Sequence, residues 1–130
     1  SKKEIAINYI HSGEKTCETD ISFLQNICYN LISNAFKYTH SEISSSSKIL
    51  NNKLNITIKD NGIGIPAEDQ KNLFGRFFRA KNAVNIQGTG LGLNIVKHYI
   101  NLLDGDITFE SEEGQTIFNI SIPLKKWRKY

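Results

Sequence analysis

Leu24-Gln25-Asn26-Ile27-Cys28-Tyr29-Asn30-Leu31-Ile32-Ser33-Asn34-Ala35-Phe36-Lys37-Tyr38 sets Leu24, Ile27, Cys28, Leu31, Ile32 and Ala35 at i, i+3, i+4, i+7 spacing. That is the period of an amphipathic helix with one apolar face, and Thr19 and Asp20 just upstream offer N-cap oxygens. The same helix carries a polar stripe, because Asn26, Asn30, Asn34 and Lys37 fall at i, i+4, i+8 and i+11. Asn is a mediocre helix former, since its amide competes for backbone hydrogen bonds, so three on one face call for a reason.

Around this helix the alternation of Ile5, Ile7 and Tyr9 predicts a short strand. The stretch from Ser41 to Asn52, with four consecutive serines and few large residues, reads as a loop or linker. Leu54, Ile56 and Ile58 alternate as a strand ending at Asp60, which Asn61-Gly62 breaks. Pro66 with Glu68 and Asp69 reads as a helix start leading into Leu73, Phe74, Phe77 and Phe78. After a polar stretch from Ala80 to Gln87, Gly88-Thr89-Gly90-Leu91-Gly92 opens a helix through Ile95, Val96, Tyr99, Ile100 and Leu103, which Gly105 ends. Two alternating strands follow, Ile107/Phe109 and Phe118/Ile120/Ile122, joined by a turn at Glu112-Glu113-Gly114. The order β, α, β, α, α, β, β with antiparallel final strands predicts an α+β fold, a two-layer sandwich with helices over one face of a mixed sheet. It is not the regular βαβ alternation of a doubly wound nucleotide fold.

The chain has 130 residues, enough for one domain, and its 39% hydrophobic content with nineteen Ile excludes collagenous and disordered classes. A net charge of +3, from thirteen Lys and three Arg against thirteen acids, is too small to imply a nucleic-acid surface. No apolar run approaches the roughly 18 residues needed to cross a bilayer, so any membrane contact is expected from other parts of the parent protein. Cys17 and Cys28 have no metal-ligand or disulfide-framework spacing, and a reducing compartment is expected. The chain contains no Met, which leads us to expect a piece of something longer. The basic end Lys125-Lys126-Trp127-Arg128-Lys129-Tyr130 reads as a solvated tail.

Three groups of residues carry candidate chemistry. The Asn stripe is either a solvated helix face or a ligand stripe, in which carboxamide oxygens suit Mg²⁺ when phosphates supply negative charge and Lys37 meets the same phosphates. Asp60-Asn61-Gly62-Ile63-Gly64-Ile65-Pro66 is either a plain Gly-rich turn or a pocket wall. In the second reading the carboxylate accepts from an exocyclic amine, which admits adenine and rejects guanine, while Gly62 and Gly64 let backbone approach a ring. Gly88-Thr89-Gly90-Leu91-Gly92-Leu93 is neither the dinucleotide fingerprint nor a P-loop, yet free N–H groups at a helix start cradle phosphate.

Taken together these stretches resemble a family. Asn30 to Thr39 is similar to the N box of sensor histidine kinases, and Asp60 to Pro66 to their first glycine box. Leu73-Phe74-Gly75-Arg76-Phe77-Phe78-Arg79 resembles the F box, and Gly88 to Leu93 followed by Asn94-Ile95-Val96 resembles the second glycine box. The resemblance implies the catalytic and ATP-binding domain of a histidine kinase across residues 1–130. This is a Bergerat fold with about five strands covered by about three helices, shared with type II topoisomerases, mismatch-repair ATPases and a heat-shock chaperone ATPase. By motif position it implies ATP and Mg²⁺ as ligands, with Asn34 the main metal ligand and Asn30 at the phosphates or metal shell. Lys37 is implied at phosphate and Tyr38 near the adenine. Asp60 is implied on the adenine amine, with Gly62, Gly64 and Ile65 shaping that pocket. Arg79 is implied at the terminal phosphate, and Gly88, Thr89, Gly90, Leu91, Gly92 and Leu93 over the triphosphate. The last glycine box, Gly114-Gln115-Thr116, is one residue shorter than usual in the family, and the resemblance implies Thr116 as its pocket residue.

The hydrolases of this superfamily resemble one another in carrying Glu one turn before the metal-binding Asn. Asn30 stands there in this chain, and an amide cannot take a proton, which favours transfer to a protein nucleophile over hydrolysis. None of His11, His40 and His98 is followed by an acidic residue, as the family's phosphoacceptor usually is, so the acceptor is expected on a separate dimerisation domain. The implied partners are that domain, a response-regulator receiver domain and, in the parent, a second subunit. Neither nucleic acid nor membrane is an expected partner of the domain itself, and its expected location is cytoplasmic. The short last glycine box motivates an alternative, a catalytically degenerate nucleotide-sensing or scaffold module of the same fold.

Overall fold

The computed structural model describes residues 4–75 and 92–124. Five strands and three helices follow in the order β1 (Ala6–Gly13), α1 (Ile21–Tyr38), β2 (Glu42–Leu50), β3 (Lys53–Asp60), α2 (Ala67–Gln70), α3 (Gly92–Leu102), β4 (Asp106–Glu112) and β5 (Gln115–Pro123). The strands form one sheet in the order β1-β2-β3-β5-β4. β1 and β2 run parallel, joined by α1 as the crossover, and the other neighbours are antiparallel. This is the expected two-layer α+β sandwich.

Alternation along β3 and β5 turns Leu54, Ile56 and Ile58 and Phe118, Ile120 and Ile122 to one face, where they meet Ile27, Leu31 and Ala35 of α1 and Val96 and Ile100 of α3. Asp20 caps α1 by accepting from the Phe23 N–H at 2.9 Å, which satisfies one of the donors that a helix start leaves free. Phe23 stacks obliquely on Tyr99, ring centroids 5.2 Å apart, and so joins α1 to α3. On the far side of α3, Phe74, Phe109 and Phe118 form a chain of ring contacts that closes the core beneath β4.

The serine-rich stretch expected as a loop is instead β2, a central strand of the sheet. Its apolar anchors Ile43 and Ile49 are buried at the two ends, six residues apart on one face, and the serines between them are held by neighbouring strands. Ser47 Oγ bonds the Tyr9 hydroxyl at 2.5 Å and His11 Nδ1 at 2.6 Å. Asn51 and Asn52 then adopt φ of 54° and 59°, the two left-handed residues of a tight hairpin turn into β3. The helix expected after Pro66 is a single turn. From it the backbone continues through i+3 bonds, Asn72 N–H to Asp69 O and Leu73 N–H to Gln70 O, and Leu73 is buried in the core. Phe77 and Phe78 lie outside the described residues.

The end of α3 also departs from expectation. Gly105 N–H reaches back to Ile100 O at 2.9 Å and Asp104 N–H to Asn101 O at 3.1 Å, the paired bonds of a Schellman cap. The left-handed residue is Asp104, with φ of 57°, and Gly105 serves a different need. A Cβ there would stand 2.6 Å from the Ser121 carbonyl of β5. Gly105→Ala is therefore expected to cost about 1–3 kcal/mol in urea unfolding by overpacking, whereas Asp104→Gly, which removes left-handed strain, is expected to leave stability equal or higher.

Candidate functional site

β3 delivers its last residue, Asp60, to the helix-covered side of the sheet, in line with Leu54, Ile56 and Ile58. Register sets it between Ile43 of β2 and Thr116 of β5, and partners in a ladder share a face. Asp60 is 7% exposed and Thr116 5%. The Asp60 carboxylate accepts the Gly62 N–H at Oδ1 over 2.9 Å, and no donor among the described residues reaches Oδ2. Burial pushes this carboxyl above its usual value, against the opposing pull of the Gly62 N–H and of His40. A buried carboxylate with one unused oxygen is suited to accept from a ligand amine.

Backbone approach shapes the turn that follows. A Cβ on Gly62 would lie 2.0 Å from the Tyr38 carbonyl, so no side chain fits. Ile63 N–H donates to that carbonyl at 3.2 Å, and Gly114 N–H donates to Gly62 O at 3.0 Å. Gly64 has φ of 73°, and a Cβ there would lie 2.2 Å from Glu112 O. The turn is thus wedged between the end of α1 and the β4–β5 hairpin.

Three side chains that support this turn carry no role of their own in the sequence reading. Asn61 Oδ1 accepts from Thr39 Oγ1, Ser41 N–H and Glu42 N–H at 2.9 to 3.0 Å, and its Nδ2 donates to Ser41 Oγ. Ser111 Oγ accepts the Ile65 N–H at 2.8 Å and lies 2.7 Å from Thr116 Oγ1. Gln70 Nε2 donates to Ile65 O and Ser111 O at 3.0 and 3.1 Å. Of these only Ser111 had a signal in the sequence, since the β4–β5 hairpin register sets it opposite Thr116. Thr116 stands in register with Asp60 although its glycine box is short.

At the other end of the site the Asn stripe is partly buried. Asn26 Nδ2 donates to Ser22 O at 2.9 Å and Asn30 Nδ2 to Asn26 O at 2.7 Å, which ties their amide nitrogens to the helix and leaves the oxygens for other partners. α3 begins directly across from them. A Cβ on Gly92 would stand 3.4 Å from Asn30 Oδ1 and 3.6 Å from Asn34 Oδ1. Lys37 is exposed one turn further on, while Tyr38 and Ile65 are half-buried. Leu93 packs against the core, and Asn94 Nδ2 donates to Phe74 O at 3.1 Å. Arg79, Gly88, Thr89, Gly90 and Leu91 lie outside the described residues.

The donor set fits a phosphate-borne cation. Among the described residues no group of three His, Cys, Asp or Glu is placed to hold a metal by itself. Two carboxamide oxygens beside a helix start suit Mg²⁺, which keeps waters and takes much of its charge compensation from phosphate. Among the described residues no helix is long and apolar enough to cross a membrane.

Residues 19–126 match the family described as histidine kinase-, DNA gyrase B-, and HSP90-like ATPase. The chain is 42% identical over 105 residues, 78% of its length, to the sensor histidine kinase RcsC of Escherichia coli K12, of which that match spans 11%. It is 34% identical over 94% of its length to the autoinducer 2 sensor kinase/phosphatase LuxQ of Vibrio parahaemolyticus, covering 15% of that protein. In structure it resembles the mycobacterial sensor histidine kinase MprB, with a TM-score of 0.78 and 25% identity over 93% of this chain and 86% of that one. It also resembles the catalytic domain of histidine kinase ThkA, with a TM-score of 0.73 and 27% identity over 91% of this chain and 79% of that one. The chain therefore spans a small part of the curated relatives it matches, and it belongs to the histidine kinase-, gyrase- and HSP90-like ATPase family as an ATP-binding catalytic domain of the sensor histidine kinase type.

Proposed function

We propose that this domain binds Mg-ATP and presents its γ-phosphoryl group to a histidine on a separate dimerisation domain of the parent protein. The reading rests above all on the way Asp60 and Thr116 stand side by side near the Tyr38 end of α1 while Asn34 and Asn30, one and two turns back along the same helix, face Gly92. In this reading the Asp60 carboxylate takes the adenine amine, Thr116 and the Gly62–Ile65 turn line the ring, and Tyr38 packs beside it. Asn34, with Asn30, holds Mg²⁺, and Lys37 and Arg79 meet the phosphates. Residues 88–93 cover the triphosphate, with Gly92 leaving room beside the two amide oxygens. Bound Mg²⁺ supplies charge neutralisation on the phosphates as the transferred group departs.

The transfer breaks the bond between the γ-phosphorus and its bridging oxygen, forms a phosphorus–nitrogen bond to the imidazole, and leaves ADP. The imidazole proton passes to solvent or to a base on the acceptor domain. Asn30 is a carboxamide and cannot activate water, so the isolated domain should bind ATP and turn over very little. A receiver domain of a response regulator is the acceptor that follows, and pairing of two parent chains through the dimerisation domain is part of the same reading. The domain itself is assigned to the cytoplasm.

Calorimetry tests the pocket. Mg-ATP and Mg-ADP are expected to bind in the micromolar to sub-millimolar range, about −8 to −5 kcal/mol, with Mg-GTP at least tenfold weaker. Asp60→Ala should abolish the adenine preference, and Asn34→Ala should remove most of the Mg²⁺ dependence. Equal binding of ATP and GTP, or binding unaffected by Asp60→Ala, would remove the adenine assignment.

Asp60 also predicts a pH dependence. Its carboxyl in the folded protein titrates above the unfolded value, so the folded state holds more protons in the window between the two. The stability conferred by the neutral form is complete below the unfolded value and is lost as pH rises through the folded one. Thermal unfolding of Asp60→Asn should show a flatter profile across that window and no loss of stability at neutral pH. ATP affinity should run the opposite way in the wild type, weakening as pH falls and the carboxylate is protonated.

A further inference from the structure

The two edges of the sheet differ in their side chains. β4 carries Asp106, Glu110 and Glu112 among its seven residues, charges of the kind that keep an edge from pairing with another chain. β1 reads Ala6-Ile7-Asn8-Tyr9-Ile10-His11-Ser12-Gly13, without Asp, Glu, Lys, Arg or Pro, and all eight residues are exposed. Ile7, Tyr9 and Ile10 are 58%, 62% and 67% exposed. Ala6 N–H donates to Ser41 O at 2.7 Å and Glu14 N–H to Ile49 O at 2.8 Å. Even-numbered residues thus direct their main-chain groups to β2, and those of Ile7, Tyr9 and His11 point out from the edge. Ser47 holds the Tyr9 hydroxyl and the His11 ring, so these side chains are ordered before any partner arrives.

We propose that β1 pairs edge to edge and antiparallel with β1 of a second copy of this chain, about a two-fold axis at Asn8. Hydrogen-bonded pairs require odd residues opposite odd ones, which leaves three central registers. An axis at Tyr9 sets Glu4 opposite Glu14 of the other copy, and does so twice. An axis at Ile7 sets Ile7 opposite Ile7 and Ile5 opposite Tyr9 of the other copy, but twice places the Glu4 carboxylate against Ile10. The axis at Asn8 sets Ile7 opposite Tyr9 twice on the helix-covered side and Ala6 opposite Ile10 twice on the other, with Glu4 opposite the neutral Ser12. Of the three, that register joins apolar to apolar without setting a carboxylate opposite another carboxylate or an apolar side chain, in a contact that is isologous like any two-fold pairing. Asp60 lies on β3, two strands inward from this edge, so pairing does not consume the proposed nucleotide pocket.

A cysteine scan in a Cys17→Ser/Cys28→Ala background reads the register. Asn8 pairs with itself at a non-hydrogen-bonded position, where Cα atoms come within about 4.5 Å, a separation a disulfide accepts. Under mild oxidation Asn8→Cys should cross-link at least tenfold faster than Ile7→Cys or Tyr9→Cys. In sedimentation velocity the unmodified chain should pass from monomer to dimer with rising concentration. Ile7→Lys should raise the dimer dissociation constant at least tenfold while leaving the circular dichroism spectrum and Mg-ATP affinity unchanged. A monomer at every concentration, equal cross-linking at the three positions, or a dimer indifferent to Ile7→Lys would each overturn the proposal. Pairing only with an unrelated extended peptide would do the same. If Ile7→Lys fails to fold, the cysteine comparison still decides.

Discussion

The carbonyl of Tyr38, the last residue of α1, sits where a Cβ on residue 62 would have to be. Because residue 62 is glycine, Ile63 N–H reaches that carbonyl and the Gly62 carbonyl is left for the Gly114 N–H. Three segments distant in sequence, the end of α1, the end of β3 and the β4–β5 turn, are thereby fastened at one point. Asn61 adds a second fastening, because its side-chain oxygen takes up the Ser41 and Glu42 amides as the chain enters β2. The position of Asp60 follows from these bonds. Its carboxylate is buried against its own preference for water, a cost that only a tightly held backbone sustains.

The same trade shapes α1. Asn at positions 26, 30 and 34 lowers the intrinsic helicity of an 18-residue helix, by up to about 0.7 kcal/mol per residue relative to Ala. The helix is kept by the adjacent apolar stripe, where Ile27, Leu31 and Ala35 are buried against the sheet, and burial of one large aliphatic side chain contributes about 1.5–3 kcal/mol. The back-bonds of Asn26 and Asn30 to preceding carbonyls recover part of the loss and turn the carboxamide oxygens outward. Stability from one face thus sustains a second face whose residues are poor helix formers.

Much of this was readable from residue order. The apolar period of α1, the alternation of β3 and β5 and the breaks at Gly62 and Gly114 survive in the structure, because each reports a local rule that tertiary packing reinforces. The strand identity of β2 is not local. Ser44 to Ser47 have no propensity for a strand, and the signal lay in Ile43 and Ile49, an even spacing of six that puts both on one face. Its pairing partners β1 and β3 supply what the serines lack. The helix after Pro66 stops after one turn for the opposite reason: its acidic first turn is a true start signal, but Leu73 is buried through a series of i+3 turns that no periodicity announces. At the site, glycines and acids were legible by type, whereas Asn61, Ser111 and Gln70 act through partners more than ten residues away or through backbone atoms.

The serine-rich β2 also explains why the sheet ends as it does. Small side chains at Ser45 and Ser47 give no apolar surface for a helix to cover, so α1 sits over the more apolar β3. β1 is then left beside β2 with its helix-facing residues Ile7 and Tyr9 in solvent. At the opposite edge Ile107 and Phe109 of β4 do have apolar neighbours on α3 and β5, and there the solvent-facing positions could be filled with carboxylates. The composition of one central strand therefore divides the molecule. Toward β5 the sheet is covered, charged at its rim and organised around the buried Asp60, and toward β1 it is open, uncharged and bare along its last row of peptide groups.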